Sequence, residues 1–380
     1  MHFWFILGLL VASVQLGLGF HTVMIVPTGV GASIGGYAGD ALPAARMLAE
    51  ISTRLITHPN VLNGAMLYWP LRNALYVEGY ALDEFAAGRL ALQPLDEGGQ
   101  RIGILLDKGI EPDLRQRHLQ VADGARATLG LDVHACALTP RRVGVELSIS
   151  QTGASWGSLS DIPALLEGSE ELIRRGCTSI AVVARFPEEE DDKASDKLFQ
   201  SYRQGNGVDA IAGAEALISH AITQRFKVPC AHAPAFDAME VEYDVSPKAA
   251  AEELGYTFLP CVLANLNRAP HLHKIGHGHT DAFKYTLPHG ALTAKDVDAL
   301  VIPADCLGGP AALSLLSRGT LVVAVKDNKT VMKVKADAFP LCKNIIEVDS
   351  YLEAAGVIAA KKAGIKVDAV RGKVSPLKIE

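Results

Sequence analysis

With 380 residues, 49% of them hydrophobic and 21% charged, the chain can bury a sizeable core and contains no long polar tract. A net charge of −6, uncompensated by any Lys/Arg cluster, argues against a nucleic-acid-binding surface. Six cysteines, at 136, 177, 230, 261, 306 and 342, lack tight spacing and suit reduced thiols rather than a disulfide framework.

Residues 1–20 carry no charged side chain. They could be a signal-peptide core, a stretch just long enough to span a membrane, or an apolar helix packed on the domain. No Lys or Arg lies near Met1 and no small-x-small cleavage site follows. The reading leans to the cytoplasm, with a secretory or membrane-anchored location if residues 1–20 act as a signal. Membrane contact is expected only if that stretch is retained as an anchor.

A β-branched run over residues 21–27 predicts the first strand, and a helix is expected over 41–56. Between them lies a glycine-rich loop from Thr28 through Gly29, Gly31, Gly35 and Gly36 to Asp40. Such a loop either cradles a phosphate or carboxylate with backbone N–H groups or packs tightly on a neighbour. Its spacing fits neither the Rossmann fingerprint nor the P-loop. Short strands follow near 65–68 and 74–77. A buried strand over 101–106 then ends in Asp107 and Lys108. Pro112 opens a helix that Gly130 stops, and strands are expected over 131–138 and 143–149.

Gly153-Ala154-Ser155-Trp156-Gly157 formally matches a nucleophile elbow, but the next helix starts only near Ser160 and Pro163. A turn or binding loop is the simpler reading. A helix over 163–175 leads into a strand ending at Arg185, and the charge run 188–193 reads as a solvated loop tip. A helix over 208–226 precedes a strand over 227–234 that carries His232. A helix from Ser246 and a strand over 257–263 come next. Residues 265–288 are irregular and hold His271, His273, His277, His279 and Asp281. They are either loop histidines or contacts to a divalent metal or substrate.

Val301-Ile302-Pro303-Ala304-Asp305-Cys306-Leu307-Gly308-Gly309-Pro310 reads as a strand feeding a helix N-terminus, where an anion is favoured. A strand over 319–325 ends in Lys326, Asp327 and Asn328. Ser350 and Glu353 form a capping box for the last long helix.

Strands alternating with helices define an α/β fold with a mostly parallel sheet flanked by helices. We expect two lobes, residues 21–150 and 151–370, with the site at the carboxyl ends of the strands. Those ends carry Thr28, Arg185, His232, Asp305, Cys306, Lys326 and Asn328, which would line one cleft. In the reading pursued first, a small anionic metabolite undergoes racemase, isomerase or lyase chemistry. Cys306 serves as thiolate, its pKa lowered by the helix N-terminus, His232 as acid/base and Asp305 as the group that tunes the thiol. The glycine loop, Arg185 and the Gly308–Gly309 turn, with Lys326 and Asn328, would hold the negative charge. A phosphate- or nucleotide-handling transferase and a non-catalytic ligand-binding protein remain alternatives. No organic cofactor is expected, a metal only through the histidine segment, and a homo-oligomer is compatible with the sequence.

Four stretches resemble an α/β family without an assigned activity, best known from photosynthetic organisms. They are Ile25 to Asp40, Leu75-Tyr76-Val77-Glu78-Gly79-Tyr80, Gly207 to Ala216, and Cys230-Ala231-His232-Ala233-Pro234. The resemblance spans residues 23–331 and implies a common fold without supplying catalytic residues. Residues 1–20 are not rich in Ser and Arg as a plastid transit peptide would be. Residues 298–327 are also similar to the cysteine-bearing half of the aspartate/glutamate racemase and maleate isomerase group, which binds small dicarboxylates. The Gly308–Gly309 pair departs from that pattern, and the second cysteine it implies would have to be Cys230.

Overall fold

The computed structural model describes residues 19–37, 39–62, 67–95, 98–187, 200–236, 241, 243–253, 258–276 and 287–377. The β-branched run after residue 20 forms β1 (His21–Met24), followed by the glycine loop and α1 (Leu42–Ile51). Then come β2 (Arg54–Thr57), α2 (Pro59–Leu62), β3 (Ala74–Tyr76), α3 (Gly79–Ala86) and β4 (Leu90–Gln93). The middle of the chain supplies β5 (Ile102–Leu106), α4 (Pro112–Leu129), β6 (Val133–Leu138), β7 (Val145–Ile149), β8 (Ser155–Leu159) and α5 (Ile162–Arg174). It continues with β9 (Ser179–Arg185), α6 (Ala212–Phe226), β10 (Cys230–Ala235), α7 (Pro247–Glu253), α8 (Leu259–Leu266) and β11 (His271–Lys274). The last part adds β12 (Val297–Pro303), α9 (Pro310–Ser317), β13 (Leu321–Val325), β14 (Ile345–Val348), α10 (Tyr351–Lys362) and α11 (Val367–Val370).

Two parallel sheets organise these elements, as the alternation of strands and helices requires. One has six strands in the order β14-β13-β12-β1-β2-β3, the other four in the order β10-β9-β5-β6. Two antiparallel ribbons, β4 with β11 and β7 with β8, complete the strand pairing. The six-stranded sheet draws on both ends of the chain, and the four-stranded sheet on the segment between. A boundary near residue 150 therefore falls within the run that builds the smaller sheet.

Alternation along the strands separates the two faces of the large sheet. Met24, Val301 and Val323 join a core with Leu48 of α1 and Ile358 of α10. Val23, Leu300 and Val322 join another with Phe85 of α3 and Leu315 of α9. In the small sheet, Leu105 and Val182 pack under Leu165 of α5 and Ile218 of α6. Both faces of each sheet are thus covered, which is why the strands read as continuous apolar runs.

Two sequence expectations fail on periodicity. The helix expected to residue 56 stops at Ile51, because Arg54–Thr57, an apolar and β-branched run, pairs as β2 beside β1. The strand expected over 257–263 is α8. Its buried Leu259, Val262, Leu263 and Leu266 recur at helical spacing, and Pro260 sits in the first turn, where its missing N–H costs nothing. Residues 63–66 and 188–193 lie outside the described residues, as do His277, His279 and Asp281.

Asn328 ties the two ends of the chain together. Its Oδ1 accepts the Ile34 N–H (3.0 Å), and its Nδ2 donates to the Ile34 carbonyl (2.8 Å) and, out of water, to the Tyr351 hydroxyl (2.7 Å). Asn328→Ala strands both backbone groups of Ile34 and should lower the unfolding free energy by about 2 kcal/mol. Urea denaturation reads this directly, and a change below about 0.5 kcal/mol would show that water replaces the amide.

Candidate functional site

The order of the six-stranded sheet reverses between β1 and β12, and α/β folds open a crevice at such a switch point. A cavity of about 330 Å³ lies there, at the carboxyl ends of β1, β2, β3 and β12, and β10 and α6 close it from the other sheet. Thr28, His58, Glu78 and Cys306 each follow one of those four strands directly and reach its wall. That volume is at the small end of ligand sites.

Two of the helix N-termini beside this cavity, those of α3 and α9, meet the protein's own carboxyl groups. Glu78, buried, caps α3 by accepting the N–H groups of Tyr80 (2.9 Å) and Ala81 (3.2 Å). Asp83 reaches across to α9 and accepts the Ala311 N–H at 3.0 Å. The glycine loop is spent in the same way. Ser33 N–H donates to the Lys329 carbonyl, Ile34 N–H to Asn328 and Tyr37 N–H to Asp40. Gly29, Gly31 and Gly35 hold φ of +69, +61 and +85°, and a Cβ at Gly35 would lie 2.8 Å from Val26. Of the two readings open for this loop, the tight packed turn describes it.

His232 on β10 is gripped by one face of α6, where Glu215 and Ser219 lie four residues apart. Ser219 Oγ is 2.5 Å from its Nδ1, and a Glu215 carboxylate oxygen is 3.7 Å from its Nε2. One turn of helix thus fixes the ring at the cavity wall. Asp209 accepts the Ile211 N–H at 3.1 Å, and burial, aided by the charges of Glu215 and Glu252, raises its carboxyl well above the usual range. His220 pairs with Glu78 at 2.9 Å. Burial pulls this imidazolium down, but the Glu78 hydrogen bond and charge, with Asp83, outweigh it and raise the pKa.

Cys306 lines the cavity as a protonated thiol. Burial pushes it up to about 12, and the neighbouring Asp305 charge adds to the rise, while a hydrogen bond with Thr330 (3.2 Å) pulls the other way. At the α9 N-terminus, expected to lower the thiol, Asp83 accepts the Ala311 N–H. Asp305 itself accepts the Thr330 hydroxyl (2.9 Å) and N–H (3.1 Å), with Cys306 Sγ at 3.5 Å.

The structure thus brings Thr28, Gly36, His232, Cys306 and Gly309 to one cavity. It does not bring Gly29, Gly31, Gly35, Gly308, Arg185, Lys326 or Asn328 to that wall. Arg185 is buried beside Glu111, with Nε to carboxylate distances of 3.0 and 3.2 Å, and its N–H donates to Asp107. Lys326 pairs with Asp349 on the surface. Asn328 clamps the glycine loop from behind. Gly308 lies against Val334. Cys230 is buried and away from the cavity wall, so the two-cysteine arrangement of the racemase group is not assembled. Ser155 lies in the β7–β8 hairpin, its hydroxyl donating to the Ala210 carbonyl. Of the two glycines around it, Gly157 serves close approach to α6, since a Cβ there would lie 2.5 Å from Ala214, while Gly153 faces open space with a φ of +84°. His271 and His273 pair in β11, with His273 Nε2 2.7 Å from Gln93. Among the described residues, no three His, Cys, Asp or Glu side chains converge to hold a metal ion.

Sequence reasoning missed His58, Glu78, Asp209, Glu215 and His220. A signal existed for three of them, because Glu78, Asp209 and Glu215 sit inside the stretches that carry the family resemblance. Fold and cavity together define a doubly wound α/β protein with an enclosed, acid-rich site at its strand switch point. The chain belongs to the family described as protein of unknown function (DUF3326), matched over residues 21–371. It is 48% identical over 351 residues to an uncharacterized lipoprotein of Synechococcus sp., covering 92% of this chain and 93% of that one.

Two predictions follow from burial. Cys306 should resist iodoacetamide at pH 8 in the folded protein while half-buried Cys342 reacts, as peptide mass mapping would show; rapid labelling of Cys306 would mean a thiolate. Burial also lowers His58 from 6.5 to about 4, so the stability it contributes is present above pH 6.5 and lost as pH falls towards 4. His58→Gln should flatten that part of the pH–stability curve, and an unchanged slope would rule the histidine out as its source.

Proposed function

We propose that the protein is an enzyme of the isomerase or lyase type that moves a proton on a small molecule held in the switch-point cavity. The observation that carries this is His232, fixed at the wall of an enclosed site by Ser219 at one ring nitrogen and facing Glu215 at the other. A base and an acid in environments that separate their protonation states are what proton transfer requires. His232 supplies the base, with Glu215 stabilising the imidazolium that forms. Asp209, whose carboxyl is pushed upward by burial and by the charges of Glu215 and Glu252, supplies the acid. Cys306, protonated, acts as a neutral donor to the ligand rather than as a nucleophile.

The transferase alternative loses its support at the glycine loop, whose N–H groups are taken by Lys329, Asn328 and Asp40. Among the described residues, no helix is long and apolar enough to cross a membrane. The Synechococcus relative's description as a lipoprotein, together with the uncharged residues 1–20, supports membrane attachment through that stretch.

A thermal-shift screen supplies a ligand, and exchange of its C–H protons in D2O, followed by NMR, tests the chemistry. His232→Gln should slow exchange at least about 100-fold while the ligand still stabilises the fold. Binding without any exchange in the native protein would make this a carrier and not an enzyme.

A further inference from the structure

The two walls of the cavity differ in chemistry. Asp209 and Glu215, on and just before α6, supply carboxyls, and Glu252 adds a third that accepts the Tyr202 hydroxyl at 2.8 Å. The six-stranded sheet supplies donors, the Cys306 thiol and the His58 ring. Among the described residues that line the cavity there is no Lys or Arg, and the imidazolium of His220 is matched by Glu78. The helix ends and the glycine loop, each able in principle to hold an anion, are already filled by the protein's own oxygens. An anionic ligand would be desolvated against carboxylates with no compensating charge.

His58 makes an independent demand. It is 6% exposed, and its Nε2 accepts the Val26 N–H at 3.0 Å. A neutral ring tied in this way must carry its hydrogen on Nδ1, and no described residue accepts it. His58 lines the cavity, so a ligand oxygen there would be placed to accept that N–H.

We infer that the cavity takes a small molecule bearing both a primary amine and a carbonyl or hydroxyl oxygen. The ammonium lies against Glu215, with the Asp209 carboxyl beside it as the acid, and the oxygen accepts the His58 N–H. This rests on the reading of the cavity as a small-molecule site and names the substrate class for it. Such a ligand meets both walls at once, and where its oxygen is a carbonyl the α-hydrogen beside it is the kind that His232 would exchange.

Calorimetric titration of the full-chain protein near pH 7.5 tests it. The probes are ethanolamine, aminoacetone and glucosamine, their amine-free counterparts ethylene glycol, hydroxyacetone and glucose, and the anions succinate and glycerol 3-phosphate. At least one amine should bind ten-fold or more tightly than its counterpart, and Glu215→Gln should erase that preference, while Asp209→Asn leaves it, in protein that still melts cooperatively. Glu215 also contacts His232, so the amine preference is read from binding alone, separately from ligand exchange. Preferential binding of succinate or glycerol 3-phosphate would overturn the amine assignment, leaving the proton-transfer reading intact if His232→Gln still suppressed ligand exchange. Amine binding indifferent to Glu215→Gln would overturn it as well, and no binding by any probe would overturn both readings.

Discussion

The backbone N–H groups at the starts of helices set the terms for the whole site. A strand that ends at a helix leaves such groups unpaired, and in a doubly wound sheet they cluster where ligands bind. Many α/β proteins leave them for a phosphate or carboxylate. Here Glu78 and Asp83 answer them from within the chain. Once the positive helix ends are neutralised, the chemistry of the cavity is decided by what remains. That is a carboxyl-bearing helix face, a fixed histidine and two donors that face inwards uncharged.

The two sheets divide the work. Each reverses its strand order, the large one between β1 and β12 and the small one between β5 and β9. At the second reversal, Asp107 accepts the N–H groups of Gly109, Val143 and Arg185, and the Arg185 side chain reaches Glu111. That network fills the place where a second ligand would otherwise sit. The small sheet therefore acts as a support, lending β10 and α6 to the cavity of the large one. Gly79 allows the two halves to meet closely, since a Cβ there would lie 2.8 Å from His220.

Much of the architecture was legible in the sequence because parallel strands buried on both faces announce themselves as apolar runs. The strand ends were legible too, and His232 and Cys306 do reach the cavity. What could not be read was partnership. Arg185 and Lys326 look like free cations in the sequence, and only the fold shows Glu111 and Asp349 beside them. A thiol at a helix N-terminus looks activated until Asp83, more than two hundred residues earlier, takes up that N-terminus. Glu215 and Ser219 carry no local signature, since their role comes from a strand that follows them. Within α8 the apolar pattern was visible but short, and short apolar runs do not separate helix from strand.

The position of β1 has a mechanical consequence. It is flanked on both sides, by β12 and β2, and Phe20 and Thr53 exchange hydrogen bonds just before it, at the amino end of the sheet. The cavity opens at the other end. Any tension transmitted through the residues ahead of Gly19 would run along the strand axis and load its two ladders in shear, all bonds sharing the force, instead of unzipping them one at a time. A protein held by that end could bear a pull without disturbing the cavity wall that His58 and Cys306 form.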